Sequence, residues 1–394
     1  MNRTRKPDRR TFLVTGAASV LAASLPRYSF AADPVKIGLI IPKTGPFAST
    51  GRQVEAACRL YMAKNGDSAG GRKIELIVRD DTGTQTELTK RIAQELITRD
   101  HVAVIAGFGL TPLAFATAPV ATEAKVPMIV MAAATTVIPQ RSPFIVRSGF
   151  TVSQITAPIA EWAAKNKMSR VMTLVTDYAP GIDCEKTFVT RFKERGGTII
   201  ESLRAPLANP EFAPYIQRAK DAKPDALFIF VPSGPGTAVM KAFAERGLKE
   251  AGIKLICTGD VVDDDILNSM GDVALGAVSS HHYSAAHPSP ENKAYVSAFG
   301  AANGGMRPNM HSVGGYDGIH LIYAALDKTA GDTNGEKMVD AMKGMSWTSP
   351  RGPMTIDPAT RDVIQDVYIR RVEREGGQLW NVEFDKIDSV PPAG

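Results

Sequence analysis

The feature that most constrains this chain is a regular alternation of short apolar runs with longer segments whose apolar residues recur at helical spacing. The clearest runs cover residues 35–41 (VKIGLII), 102–106, 127–131, 170–175 and 226–231. These runs are apolar at most positions rather than at every second one. Strands of that kind are typical of parallel sheets that are covered by helices on both faces. The pattern therefore predicts an α/β fold.

The alternation is interrupted twice, and the interruptions indicate how the chain is divided. A strand-like stretch at residues 144–151 separates two series of strand–helix units. Near residues 278–287 a strand leads into His-, Ser- and Pro-rich sequence, and two further helical patterns follow at residues 292–302 and 313–328. Strand-like segments then close the chain. This order predicts two similar lobes connected by more than one crossing of the chain.

Residues 1–31 have the three-part layout of a secretory signal. Five basic side chains in the first ten residues precede an apolar stretch at residues 12–25, which is shorter than the ~20 residues that span a bilayer. Ser29 and Ala31 are small residues at the positions that a signal peptidase reads. The run RRTFL resembles a twin-arginine export signal, with the general secretory route and a membrane anchor as alternatives. We expect cleavage near Ala31 and a periplasmic protein.

The basic character of the chain belongs to this segment. Residues 1–31 hold six of the 46 Lys and Arg residues and one of the 41 Asp and Glu residues, which leaves 40 of each in the mature chain. A formal net charge of zero does not suit a surface that binds phosphate backbones. We therefore expect no nucleic-acid partner.

Short motifs in a fixed order along the mature chain carry a resemblance to a known family. They are Ile37-Gly38-Leu39-Ile40, Thr44-Gly45-Pro46-Phe47 with Gly51, Asp80-Asp81, Val104-Ile105-Ala106-Gly107, Val126-Pro127 with Ala133-Ala134-Thr135, Asp177-Tyr178 with Gly181, Gly247, Thr258-Gly259-Asp260, Gly314 with Tyr316-Asp317, and Arg351-Gly352-Pro353. As an ordered set they resemble the branched-chain amino-acid type of periplasmic binding proteins.

The resemblance implies a type I periplasmic-binding fold, in which two Rossmann-like lobes are joined by a three-segment hinge with a ligand cleft between them. We expect residues 34–150 with 285–345 in the N-terminal lobe, and residues 151–284 with 346–394 in the C-terminal lobe. The implied function is that of the solute-binding component of an ABC importer. Its partners are then a small-molecule solute and an inner-membrane permease, and we expect a monomer without a cofactor.

The loops that follow the predicted strands are the candidate binding site. At the carboxyl edge of a parallel sheet, free N–H groups and helix N-termini attract anions. By resemblance, Thr111, Ala133 and Thr135 grip a ligand carboxylate, and Asp260 faces an ammonium group, which suits an amino acid or a similar solute. The alternative is that Thr111 and Thr135 cap helices and that Asp260 begins a surface turn.

Two positions depart from the family pattern and leave the solute open. Thr50 and Ser233 stand where the amino-acid binders of the family often carry aromatic residues. Phe47, Phe108 and Tyr178 are candidate apolar walls, although each is also an ordinary core candidate. An aromatic acid therefore stays open beside an amino acid.

Enzymatic and metal-dependent functions find little support in the sequence. Gly107-Phe108-Gly109 lacks the third glycine of a dinucleotide fingerprint, and Ser233 does not lie in a nucleophile elbow. The neighbouring His281 and His282 point to opposite faces of a strand, so we expect no metal site there. Three cysteines are too few for a disulfide framework, and a single disulfide stays open. The alternative to transport is a periplasmic ligand-sensing protein of the same fold.

Overall fold

The computed structural model describes residue 1 and residues 33–393. The predicted export signal lies outside the described residues, apart from its first residue. From Pro34 onward the chain forms one compact unit. Among the residues that the structure describes, no helix is long and apolar enough to cross a membrane.

The first sheet has six strands in the order β2-β3-β1-β4-β5-β6, and only the β2–β3 pair is antiparallel. The strands are β1 Val35–Ile41, β2 Ser68–Ala69, β3 Arg72–Asp80, β4 Val104–Gly107, β5 Met128–Val130 and β6 Ile145–Arg147. The helices between them are α1 Ala48–Asn65, α2 Thr86–Thr98 and α3 Thr111–Ala124, and a 3-10 turn covers Ile138–Arg141.

The second sheet has five parallel strands, β7 to β11, to which a set of antiparallel strands is added. These five are β7 Arg170–Thr176, β8 Thr198–Ala205, β9 Ala226–Phe230, β10 Lys254–Thr258 and β11 Val278–His281. The helices that accompany them are α4 Val152–Lys165, α5 Ala179–Glu194, α6 Ala213–Ala222, α7 Gly236–Glu245 and α8 Leu267–Met270. The order β11-β10-β9-β7-β8 continues the doubly wound pattern of the first sheet.

The last part of the chain returns to both sheets. Its elements are helices α9 Pro290–Ala302, α10 Met310–Lys328 and α11 Gly335–Met342, then strands β12 Ser346–Ser349, β13 Gly352–Ile356, β14 Val363–Glu375 and β15 Gln378–Val390. Strand β14 pairs antiparallel with β11, β13 and β15. Helices α9 and α10 pack against α1, beside the first sheet. The chain thus passes three times between the sheets, after β6, after β11 and after α11.

Each sheet is buried on both faces, which explains the continuous apolar runs. Ile37 and Leu39 belong to one core cluster, whereas Ile40 belongs to another. In β7, Met172 and Val171 divide in the same way between two cores. Successive side chains of a strand point to opposite faces, so both sets must be apolar.

Most of the predicted elements are confirmed, and the differences have local causes. Strand β1 coincides with the predicted run, whereas α5 begins at Ala179 instead of Cys184. The earlier start uses Pro180 in the first turn, where a helix tolerates proline. The sequence patterns did not predict α11, β12 and β13, and the lobe boundaries stay a prediction.

Candidate functional site

A cavity lies where the loops after the strands of both sheets meet. The residues that line it are Phe47, Thr50, Gly109, Leu110, Thr111, Ala132, Ala133, Ala134, Phe150, Val152, Tyr178, Pro180, Phe230, Pro232, Ser233, Asp260 and His311. Seven of the nine residues that the sequence singled out are among them. Parallel strands bring these loops together because their carboxyl ends share one edge of each sheet.

Thr135 and Phe108 are the two predicted residues that do not line the cavity. Thr135 lies directly behind the lining, where its hydroxyl is 2.9 Å from the hydroxyl of Thr111. Phe108 is fully buried in the core cluster that contains Ile105 and Val130. Its backbone has a φ of 65° immediately after β4, and its ring packs into this core. The expectation that Phe108 forms a wall of the cleft therefore needs correction.

One side of the cavity offers hydrogen-bond donors at the start of α3. The residue that precedes α3, Leu110, makes no side-chain cap, so no side chain satisfies the first N–H groups of this helix. The N–H of Ala133 is already bound to the carbonyl of Phe108 at 2.9 Å. The N–H groups of Thr111 and Ala134 have no partner within residues 33–393. Free N–H donors on this side are therefore those of Thr111 and Ala134 and not that of Ala133.

The other side carries the carboxylate of Asp260 and the imidazole of His311, and the buried His281 lies behind Asp260. Oδ2 of Asp260 lies 3.5 Å from Nε2 of His281, at the end of β11. Burial alone would raise the pKa of Asp260, but the neighbouring imidazole of His281 lowers it below its ordinary value. Nε2 of His311 is 3.2 Å from Oγ of Ser233, and burial lowers the pKa of His311 to about 4. At neutral pH this side holds an ionised carboxyl and a neutral His311.

Aromatic side chains separate the two polar sides. Tyr178 and Phe230 stack with ring centroids 6.3 Å apart, and Phe47 packs with Leu110 and Tyr178. Phe150, in the first crossing between the sheets, lies 4.7 Å from the ring of His281. The walls therefore place apolar surface between a donor-rich end and an acceptor-rich end.

Ten of the 17 lining residues were not singled out from the sequence, and three of these carry an aromatic or imidazole ring. Phe150 lies in a crossing segment, Phe230 ends a buried strand and looked like core, and His311 belongs to the first turn of α10. The predicted helix began two residues after His311. Asn309, whose side chain accepts from the N–H of His311 and Ser312, was the available signal for the true start of α10.

Contacts across the cleft join the two lobes at its rim. Oγ of Ser49 is 2.5 Å from Oδ2 of Asp265, and Arg52 donates to the same oxygen at 2.8 Å. On another side, the N–H of Thr136 donates to Asp183 at 2.9 Å. The structure therefore has its two lobes in contact around the cavity.

The described residues contain neither a metal-binding cluster nor a disulfide. No group of three or more His, Cys, Asp or Glu side chains within the described part of the chain is placed to hold a metal ion. Cys58, Cys184 and Cys257 are all buried as free thiols. Burial raises the pKa of Cys257 to about 12, so its thiol stays protonated.

Comparisons with known proteins give a consistent result. A family model described as periplasmic binding protein matches residues 34–378. The Leu/Ile/Val-binding protein homolog 6 of Brucella abortus is 40% identical over 366 residues, which are 92% of this chain and 94% of that protein.

Solved structures match over the same range. A solute-binding protein of an ABC transporter from Rhodopseudomonas palustris BisB5, in complex with 3,4-dihydroxybenzoic acid, is 57% identical with a TM-score of 0.89, covering 91% of this chain and 99% of its own. A second R. palustris solute-binding protein, in complex with 4-hydroxybenzoate, is 41% identical with a TM-score of 0.89, covering 91% and 98%. A leucine-binding protein from Thermotoga maritima, 23% identical with a TM-score of 0.78 and coverage of 90% and 99%, shares the fold.

Proposed function

We propose that this chain, which belongs to the periplasmic binding protein family, captures a hydroxylated benzoic acid in its cleft and delivers it to an inner-membrane ABC permease. Members of this family are extracytoplasmic solute-binding proteins and not enzymes. The family resemblance and the type I fold that the sequence predicted are confirmed by the matches. The solute, the permease, cleavage near Ala31 and a monomeric state belong to the proposal.

The observation that carries the proposal is the buried carboxylate of Asp260. Its Oδ2 atom has no hydrogen-bond partner among the described residues, and Asp260 lines the cavity. A buried charge without donors is costly, so a ligand that donates a hydrogen bond there is strongly favoured. A phenolic O–H at this end of the cavity donates one hydrogen bond to Asp260.

The opposite end of such a ligand meets the donors at the start of α3. Its carboxylate accepts hydrogen bonds from the hydroxyl of Thr111 and the N–H of Ala134, close to the positive end of the helix dipole. Its ring lies between Phe47, Tyr178 and Phe150. Because the two polar ends belong to different lobes, a ligand that contacts both stabilises the closed form.

The relatives support this class of solute. The R. palustris proteins described above were solved with a dihydroxybenzoate and a hydroxybenzoate, and both are more than 40% identical to this chain. Thr50 and Ser233 add hydroxyl groups to the lining of the same cavity.

A branched-chain amino acid is the second candidate. The name of the Brucella relative favours it, and an ammonium group opposite Asp260 is what the sequence predicted. Such a ligand offers no ring to fill the space between the aromatic side chains. A ligand-sensing role in the periplasm uses the same cleft and differs only in the membrane partner.

Isothermal titration calorimetry on the mature protein separates these candidates. We expect saturable one-site binding of 4-hydroxybenzoate and 3,4-dihydroxybenzoate, weaker binding of benzoate, and no detectable heat with leucine or valine. Binding of leucine without binding of the hydroxybenzoates would contradict the proposed solute and favour the second candidate. Co-purification with a permease or with a kinase then distinguishes transport from sensing.

A further inference from the structure

A fully buried arginine lies behind the donor side of the cavity. Arg147 is the last residue of β6 and has no exposed surface. Its guanidinium donates to the carbonyls of Ala133 at 2.9 Å, Thr135 at 2.7 Å and Phe150 at 2.9 Å. Its Nε atom lies 3.0 Å from Oδ1 of Asp362. Arg147 thus contacts three parts of the chain. They are the loop that follows β5, the segment before α4, which contains Phe150, and the segment before β14, which contains Asp362.

The carbonyls that Arg147 holds determine where the neighbouring N–H groups point. In a trans peptide the C=O of one residue and the N–H of the next point in opposite directions, and the structure has no cis peptide bond in the described residues. Because the carbonyl of Ala133 faces Arg147, the N–H of Ala134 faces away from it. Ala134 lines the cavity, so this N–H is directed to the side where the ligand carboxylate is proposed to lie.

The peptide between Thr135 and Thr136 has the same kind of geometry. The carbonyl of Thr135 also faces Arg147, and the N–H of the following residue, Thr136, should point the opposite way. It does, since it donates to Oδ2 of Asp183 at 2.9 Å. One guanidinium therefore holds two carbonyls of this loop, those of Ala133 and Thr135, on the same side.

We propose that Arg147 is a positioning residue that aims the N–H of Ala134 at the carboxylate of the ligand. This inference rests on the proposed function, because it assigns a role to that same site. Arg147 does not touch the ligand. It acts through the loop, and its contacts with Phe150 and Asp362 fix the loop relative to the hinge.

The test compares an acid with a neutral ligand of the same ring, 4-hydroxybenzoate and 4-hydroxybenzyl alcohol, on wild type and on Arg147→Lys. A lysine retains the positive charge but cannot reach three carbonyls at once. We expect the preference for the acid, measured as the ratio of the two dissociation constants, to fall about tenfold or more, as for loss of a hydrogen bond to a charged group. A purely structural role would weaken both ligands equally and leave the ratio unchanged.

Arg351→Lys is the matched control. Arg351 is equally buried, pairs with Asp317 at 2.8 Å and donates to the carbonyl of Gly149, but it does not touch the loop of Ala133. We expect this variant to lose stability while it retains the wild-type ratio. An unchanged ratio in Arg147→Lys, or an equal loss in Arg351→Lys, would overturn the inference.

A second measurement needs no variant and covers the case in which Arg147→Lys does not fold. In amide NMR spectra of the wild type, the Ala134 proton should shift downfield with 4-hydroxybenzoate and much less with the alcohol. Equal shifts would contradict the assigned role of Arg147. Absence of hydroxybenzoate binding to the wild type would instead refute the proposed function, so the two failures are distinguishable.

Discussion

Asp260 differs from two other buried acids, Asp263 and Asp317, in what surrounds its oxygens. Asp263 and Asp317 each accept well-formed hydrogen bonds from side chains, at 2.8–2.9 Å. Asp260 instead has a buried oxygen without a donor and an imidazole 3.5 Å away. A structural carboxylate is normally satisfied, so the site of Asp260 is better explained by a ligand than by folding.

Replacing Asp260 by Asn tests this interpretation at a single side chain. The amide keeps the shape but loses the charge, so the hydrogen bond from a phenol weakens. We expect the affinity for 4-hydroxybenzoate to fall by ~1.5–3 kcal/mol, while benzoate, which has no hydroxyl, changes little. Calorimetry on both ligands measures the difference.

Asp177→Asn is the control for that variant. Asp177 is an exposed acid next to Tyr178 and does not line the cavity. It should bind both ligands as the wild type does. An equal loss of benzoate and 4-hydroxybenzoate affinity in Asp260→Asn would argue against a phenol contact at Asp260.

The buried histidines predict a loss of stability in acid. The pKa of His311 falls from an ordinary value near 6.5 to about 4 because the ring is buried, and burial lowers the pKa of His281 in the same direction. The unfolded chain then binds the proton more tightly than the folded one. The contribution of His311 to stability is present above about pH 6.5 and is lost as the pH falls toward about 4, by up to ~1.4 kcal/mol per pH unit.

Urea unfolding of wild type and His311→Gln between pH 7 and pH 4.5 checks this dependence. Glutamine can still bond Ser233 but does not titrate, so the variant should show a shallower fall. His101→Gln changes an exposed histidine and should keep the wild-type slope. If the free energy of unfolding fell equally with pH in wild type and His311→Gln, the assignment of His311 as a buried, neutral imidazole would be contradicted.

For single residues, the sequence predicted which positions lie near the cavity better than it predicted what each side chain contacts. Thr111, Asp260 and Ser233 follow strands, and the position after a parallel strand suffices to bring them to one edge. Phe108 shares that position but packs into the core, because the fate of a ring after β4 depends on backbone torsions that no pattern reports. Arg147 looked like an ordinary strand residue, and only tertiary structure reveals its three carbonyl partners.

At the level of helices and strands, the cavity depends on a close contact between the first turn of α5 and the end of β7. Gly181 lies in the first turn of α5, and a Cβ built there would be 1.8 Å from the carbonyl oxygen of Thr176. This approach lets α5 begin directly after β7, next to Tyr178 and Pro180 of the cavity. The absence of a side chain at Gly181 is therefore a condition for the shape of the cleft.

Gly181→Ala should therefore destabilise the protein, although alanine favours helices in general. Displacing α5 costs ~1–3 kcal/mol by analogy with overpacked cores, and thermal unfolding measures it. In Gly300→Ala, within α9, the nearest atom to the new Cβ is 3.8 Å away, so that variant should be neutral or more stable. Similar melting temperatures for the two variants would refute the close-packing argument.

Hydrophobic periodicity predicted some of the helices and strands and missed others. Strands such as β1 and β9 were predictable because burial on both faces leaves continuous apolar runs. Strand β12 (SWTS) is short and partly exposed, and α11 has only eight residues, so neither gives a period long enough to recognise.

At the scale of the whole molecule, the rim contacts indicate how closure is stabilised. Asp265 joins Ser49 and Arg52 across the cleft, outside the cavity lining. Arg52 is about half exposed, and pairs of this kind contribute ~0.2–1 kcal/mol. The rim therefore favours the closed form modestly and does so without regard to the ligand.

Asp265→Asn should weaken all ligands by a similar small factor of about two to five, since it acts on closure and not on recognition. Small-angle scattering should show a decrease in radius of gyration on addition of 4-hydroxybenzoate for wild type, and a smaller decrease at equal ligand concentration for the variant. A selective loss of one ligand would mean that Asp265 takes part in recognition.

A crystal structure of the mature protein with 4-hydroxybenzoate tests the account most directly. We predict the carboxylate within hydrogen-bond distance of the Thr111 hydroxyl and the Ala134 N–H, and the phenolic oxygen next to Asp260. A ligand bound outside the cleft, or one bound in it without contact to Asp260, would contradict the account.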